Sequence, residues 1–275
     1  MRLARRGSWY VLKIGGELAQ DVPRLAATAG RAVREFLDAG HRVAIVHGAG
    51  PQANALMARL GLKPQLVAGQ RVTDSETLEV MKMALAGQAA TDVASALRLA
   101  GVTALATSGV SAGLIDAQRR APKNVAGAEV DYGLVGDVTR IDTALLERLA
   151  AAGVVPVLSS LAGDAQGNVF NVNADTVATT LAAALKAERL FLVSNVPGVL
   201  LDKDDPSTRI PLLTPTVAKE QIAKGVIQGG MIPKVEESLA MLERGIGAIH
   251  ILPLEALTAE AARPGSAGTA FVRDN

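Results

Sequence analysis

Residues 42–53 read Arg42-Val43-Ala44-Ile45-Val46-His47-Gly48-Ala49-Gly50-Pro51-Gln52-Ala53. Arg42–Val46 is a short apolar run that predicts a strand covered on both faces. Gly48-Ala49-Gly50 follows as a turn whose backbone N–H groups can approach a ligand closely. Pro51 suits the first turn of a helix, because its missing N–H would have no partner there. A helix is expected over Pro51–Leu60, closed by Gly61. Strand, glycine turn and helix in immediate succession form half of a βαβ unit, and the same order recurs outward in both directions.

Towards the N-terminus, Trp9–Ile14 predicts a strand, Gly15-Gly16 a turn, and Val22–Ala39 an amphipathic helix ending at Gly40. Towards the C-terminus, Thr73-Asp74 ahead of Glu76 resembles a capping box and opens a long Ala/Leu/Met helix to about Leu99. Val102–Thr107 reads as a strand. Gly113–Arg140 lacks helical period and contains Pro122, Gly127, Gly133 and Gly136, which predicts hairpins. Then come a helix over Asp142–Ala152, a strand over Val154–Ser159, a helix over Asp175–Lys186 and a strand over Arg189–Val193. Helices near Thr216–Lys224 and Pro233–Arg244 and strands at Ala248–Leu252 and Thr269–Val272 complete the chain. Apolar strands bounded by helices indicate an α/β protein with a mainly parallel sheet covered on both faces. A boundary near Lys186–Arg189 divides residues 1–187 from 188–275.

Composition excludes several classes. The 275 residues include no cysteine, so there is no disulfide framework, thiolate metal site or Cys nucleophile. Three histidines and no HExxH pattern argue against a histidine-rich metal centre. A net charge of +1 and 3% aromatic residues argue against a nucleic-acid partner. No window carries 18 uncharged apolar residues, so no membrane span is expected, and the expected location is the cytoplasm. The basic Met1–Ser8 leader has too short an apolar continuation for a signal peptide.

Three glycine turns after strands carry most of the chemical signal. Lys13-Ile14-Gly15-Gly16 places a mobile cation beside amides that can bind an anion, although a tight turn with a solvated lysine would look the same. Gly48–Ala53 formally matches GxGxxA, but the acidic residue that a dinucleotide site wants at the end of the next strand is missing; Asp74 begins a helix instead. An anion-binding turn is the better reading. Gly229-Gly230-Met231-Ile232-Pro233-Lys234 sets a lysine in the first turn of a helix, against its dipole, which hints at an anionic ligand. Gly109-Val110-Ser111-Ala112-Gly113 matches a nucleophile elbow, yet no helix follows directly, and His250 lies in an apolar strand. Asn171-Val172-Asn173-Ala174-Asp175 could simply cap a helix, or could fix a carboxylate for the lysines. Arg71 offers a guanidinium fork to a carboxylate. No Walker A loop exists, so any nucleotide chemistry uses another phosphate cradle.

Taken in order, these motifs, together with Val130–Gly136, Val196-Pro197-Gly198-Val199 and Gly268-Thr269, resemble the amino-acid kinase superfamily, and within it the acetylglutamate kinases. The resemblance runs from Lys13 to Thr269. It implies an open three-layer αβα sandwich, with an N-terminal amino-acid and dimerisation lobe (1–187) and a C-terminal nucleotide lobe (188–275). It implies ATP-dependent phosphorylation of the side-chain carboxylate of N-acetyl-L-glutamate, with Mg²⁺ bound through the nucleotide and no protein metal site. By the same resemblance Lys13 and Lys234 stabilise the transferring phosphoryl group, and Asp175 holds the lysines in place. Gly48, Ala49, Gly50, Arg71 and Asn171 bind the amino acid. Gly15, Gly16, Asn195, Val196, Gly198, Val226, Ile227, Gln228 and Gly230 bind the nucleotide.

Two positions depart from the pattern. Ala49 replaces the middle glycine of a usual triplet, and a positive φ there would strain it. Asn195 stands where acetylglutamate kinases often carry aspartate, and Ser194-Asn195-Val196-Pro197-Gly198 is similar to the kinase acting on carrier-linked aminoadipate. That kinase and a non-catalytic amino-acid sensor remain the alternatives. Because only Met1–Ser8 precede the first strand, too short for the interlacing helix of arginine-inhibited hexamers, a homodimer insensitive to arginine is expected.

Overall fold

A computed structural model describes residues 7–202, 205–227 and 231–274, without the side chains of Met231, Pro233, Lys234 and Glu237. Most of the leader, and the expectation attached to it, lies outside these residues, as do Gln228 and Gly230 of the expected nucleotide set.

The strands in chain order are β1 (Trp9–Ile14), β2 (Arg42–His47), β3 (Leu66–Val67), β4 (Gln70–Arg71), β5 (Ala104–Ser108), β6 (Ile115–Arg119), β7 (Lys123–Val125), β8 (Ala128–Val130), β9 (Gly136–Ile141), β10 (Val155–Ser159), β11 (Leu161–Gly163), β12 (Val169–Asn171), β13 (Arg189–Val193), β14 (Leu212–Leu213), β15 (Ala248–Leu252) and β16 (Thr269–Phe271). The principal helices are α1 (Val22–Leu25), α2 (Arg31–Asp38), α3 (Gly50–Arg59), α4 (Ser75–Lys82), α5 (Ala90–Leu99), α6 (Thr143–Ala151), α7 (Ala174–Ala184), α8 (Pro215–Ala223), α9 (Met231–Glu243) and α10 (Leu257–Ala262). A π turn over Ala26–Gly30 joins α1 to α2, and another over Met83–Ala89 joins α4 to α5. Each pair is therefore one long helix, as the sequence period predicts. Asp74 caps the second, its carboxylate accepting from the Thr77 N–H at 2.8 Å.

Eight strands form the central sheet in the order β14-β16-β15-β13-β1-β2-β10-β5. Every neighbouring pair is parallel except β15 with β16. Alternate residues of each strand enter opposite layers. Leu12, Ile14, Ile45 and Phe191 pack against helices α1, α2, α5 and α10. Val11, Val46 and Leu190 pack against α6, α7, α8 and α9. The result is the three-layer αβα sandwich with a mainly parallel sheet. A second sheet, β12-β11-β6-β9, and the hairpins β3–β4 and β7–β8 account for the irregular middle of the chain. Hairpins are legible there from the glycines and Pro122, but β11–β12 is not, because strands of three residues are too short to show a period.

Strand order reverses at β1, with β2 on one side and β13 on the other. In open α/β sheets such a switch point leaves a crevice beyond the carboxyl ends of the strands, where ligands bind. The turns after β1, β2 and β13 all open into that crevice.

Candidate active site

Lys13 is carried near the end of β1 and points to the face covered by α7. Its ammonium lies 3.0 Å from the Asp175 carboxylate in the first turn of α7. That carboxylate is free for the contact because Asn173 does the capping. The Asn173 Oδ1 accepts from the backbone N–H of Asp175 at 2.8 Å and of Thr176 at 3.2 Å. The two roles left open for the Asn171–Asp175 motif are thus divided between two residues.

Two cavities adjoin this pair and a third continues from them. One, of about 270 Å³, lies beside β13 and β15; its wall is mostly apolar, with Leu192, Val199, Met241 and Ile249, and Lys13 and Asp175 stand at its edge. A second, of about 300 Å³, is bounded by Lys13, Gly15, Gly16, Glu17, Gly50 and Asn195. The third, of about 230 Å³, takes its wall from Gly48–Gly50, Arg71, Arg120, Asn171 and the hairpin β3–β4. Lys13 belongs to the first two and Gly50 to the last two, so the cavities form a succession along the ends of β13, β1 and β2.

The glycine turns meet closely. A Cβ on Gly16 would stand 2.9 Å from both the Ala49 Cα and the Gly50 nitrogen, so only glycine lets the turns after β1 and β2 touch. Gly198 has φ of 140° and a side chain there would strike Thr269. Ala49 has φ of −147° and ψ of 34°, so the strain anticipated for alanine does not arise. Its methyl group is instead buried among Met57, Met81 and Leu85.

Arg71 is half-buried, and its Nη2 donates to the Asn54 Oδ1 at 2.5 Å while Nη1 approaches the Met57 sulfur at 3.3 Å. Burial lowers its pKa from the ordinary value. Asn171 is buried, donating to the Thr73 hydroxyl at 3.2 Å. Asn195 donates its Nδ2 to the Glu17 carboxylate across the second cavity. This explains the Asn195 departure: an aspartate would set like charges face to face, whereas the amide supplies the donor that Glu17 needs. Val196 and Gly198 line the first cavity. Val226 and Ile227 follow α8, with Ile227 buried in the core. Lys234 lies in the first turn of α9.

Glu17, Asn54 and Arg120 carry no motif in the sequence. Each is an ordinary polar residue in its own neighbourhood, and only long-range contact gives it a place here. The Ser111 hydroxyl of the Gly109–Gly113 motif meets the Ser108 hydroxyl at 3.2 Å. His250 is buried against Glu260 at 2.8 Å in the other half of the sheet. Among the described residues no Ser–His pair is assembled.

The sequence profile of the amino acid kinase family matches residues 8–253. An acetylglutamate kinase of Anaeromyxobacter sp. (strain Fw109-5) is 47% identical over 268 residues, covering 95% of this chain and 98% of that one. An acetylglutamate kinase of Sorangium cellulosum (strain So ce56) is 47% identical over 269 residues, covering 95% and 94%. Among solved structures, a Streptococcus mutans UA159 protein is similar at TM-score 0.75 and 29% identity, covering 97% of this chain and 99% of its own. The chain belongs to the amino acid kinase family, and within it to the acetylglutamate kinases.

Proposed function

We propose that the chain transfers the γ-phosphoryl group of ATP to the side-chain carboxylate of N-acetyl-L-glutamate, giving N-acetyl-L-glutamyl 5-phosphate and ADP. The observation that carries this reading is the Lys13–Asp175 pair, 3.0 Å apart, at the edge of an apolar cavity that is linked through the Gly15–Gly16 cavity to an arginine-lined one. The apolar cavity suits a nucleotide base; the other suits a small dianionic acyl amino acid.

The acceptor carboxylate has an ordinary pKa of about 4.3, so it is ionised at neutral pH and needs no general base. The barrier is the approach of an anion to an anion. Lys13 and the Gly15–Gly16 amides lower it by meeting the charge on the transferring group. Asp175 holds the Lys13 ammonium at the junction of the cavities. Lys234 adds a second cation from the start of α9. Arg71 and Asn171 hold the part of the acceptor that does not react. Glu17 on the second cavity and Asp175 on the first are the carboxylates that would meet Mg²⁺ carried in on the nucleotide. Bound there, Mg²⁺ would neutralise charge on the phosphate oxygens.

We assign amino-acid binding and dimerisation to residues 1–187 and nucleotide binding to 188–275, in a cytoplasmic homodimer. Support for the dimer comes from β5, a sheet edge that carries the exposed Leu105 and follows the exposed Leu99. ADP release coupled to a chromogenic readout tests the activity. Turnover should depend on free N-acetyl-L-glutamate and be absent with L-glutamate. Equal turnover with both, or none with the acetylated acid, would overturn the proposal.

A further inference from the structure

The cavity that holds Arg71 has a second guanidinium. Arg120, just beyond the end of β6, is only 7% exposed and lines the same wall. Its Nε and Nη2 donate to one oxygen of Asp137 at 2.8 and 2.6 Å, and its Nη1 donates to the Gln70 Oε1 at 2.7 Å. A guanidinium has five N–H donors, so these three bonds leave one donor on each terminal nitrogen. Gln70 precedes Arg71 in β4, and both line this cavity together with Arg120. Among the described residues no carboxylate lines this cavity.

A buried ion pair is often no more stabilising than apolar residues of the same volume. Packing alone therefore gives little reason for a buried arginine here, whereas an anionic ligand does. The proposed substrate carries two carboxylates, and the one that accepts the phosphoryl group must lie toward Lys13. Resting on that reading of the function, we propose that Arg120 is a substrate-binding residue: with Arg71 it grips the non-reacting α-carboxylate of the acceptor. Asp137 offsets the cost of burying the guanidinium and orients its fork, and Gln70 couples that orientation to the hairpin that carries Arg71. A planar fork with fixed donors recognises a carboxylate in two directions at once, which a lysine cannot do.

The test compares wild type, Arg120→Gln and Arg120→Lys on two ligands. One is N-acetyl-L-glutamate as substrate. The other is its α-carboxamide, which keeps shape but lacks the α charge, used as a competitive inhibitor. Arg120→Gln should raise KM for acetylglutamate roughly ten- to a hundredfold, while KM for ATP and the inhibition constant of the α-carboxamide stay unchanged. Arg120→Lys keeps the charge and the pairing with Asp137, and should show a smaller loss confined to the same ligand. It carries the test if the glutamine variant does not fold. Equal weakening of both ligands would make Arg120 a structural support of the hairpin and overturn the inference, as would an unchanged KM. A wild-type protein that does not phosphorylate acetylglutamate would instead sink the reading of the function.

Discussion

At the scale of single residues, Lys13 and Asp175 come from strands and helices 162 positions apart, yet form one ion pair at the mouth of the crevice. If Lys13 meets charge that develops in the transition state, Lys13→Ala should lower kcat roughly a hundred- to a thousandfold with little change in KM for ATP. Asp175→Asn should act in the same direction but less, since the lysine remains but is no longer aimed. Steady-state kinetics of the two variants check both, and near-normal turnover in Lys13→Ala would remove it from the chemistry. His47 ends β2 behind the glycine turn, fully buried, and burial pushes its imidazole down to about 4. The folded protein therefore keeps it neutral, while the unfolded chain takes up a proton near the ordinary 6.5. Its contribution to stability is complete above pH 6.5 and is lost as the pH falls towards 4, by at most about 1.4 kcal/mol per pH unit. Urea unfolding of His47→Gln over that range should show a flatter pH dependence than wild type.

At the scale of elements, what the sequence made legible depended on the range of the forces involved. β1, β13 and β15 are visible to the residue, because each is an apolar run bounded by turn formers. The long helices are visible through their period and caps, including Asp74 and Asp142. The motifs of the candidate site are visible because glycine turns after strands have few other uses in such density. The π turns, the hairpin β11–β12 and the partners of Asn195 and Arg71 are not, because tertiary contact decides them. The C-terminal loop is a further case. Glu260 in α10 reads as an ordinary helical glutamate, yet it is buried and accepts from the Gly265, Ala267 and Gly268 N–H groups at 2.6, 2.9 and 2.8 Å, besides meeting His250. Those hydrogen bonds lower its pKa against the opposing effect of burial. The loop leads into Thr269, whose hydroxyl accepts from the Val199 N–H at 2.8 Å on the wall of the apolar cavity. Glu260→Gln has one acceptor oxygen in place of two, and each buried donor left unpaired costs about 1–3 kcal/mol. Thermal unfolding should show the loss. KM for ATP should rise more than KM for acetylglutamate, and the opposite order would detach this loop from the nucleotide side.

At the scale of the whole molecule, one continuous sheet carries both halves of the proposed site, and the switch at β1 brings their ligands together. The sheet also leaves β5 as an edge with apolar neighbours, which a second copy would cover. Light scattering at micromolar concentration should therefore give about twice the mass of one chain, and a monomer would refute the dimer. The central claim is narrower: a carboxylate, held beside Lys13, takes the phosphoryl group. Its product is an acyl phosphate, which hydroxylamine converts to a hydroxamate with release of phosphate. The most direct measurement is to incubate the protein with ATP, Mg²⁺, free N-acetyl-L-glutamate and hydroxylamine, and to follow hydroxamate and ADP together. The account predicts equal amounts of the two, both dependent on acetylglutamate. ADP without hydroxamate, or no ADP at all from the free acid, would contradict it.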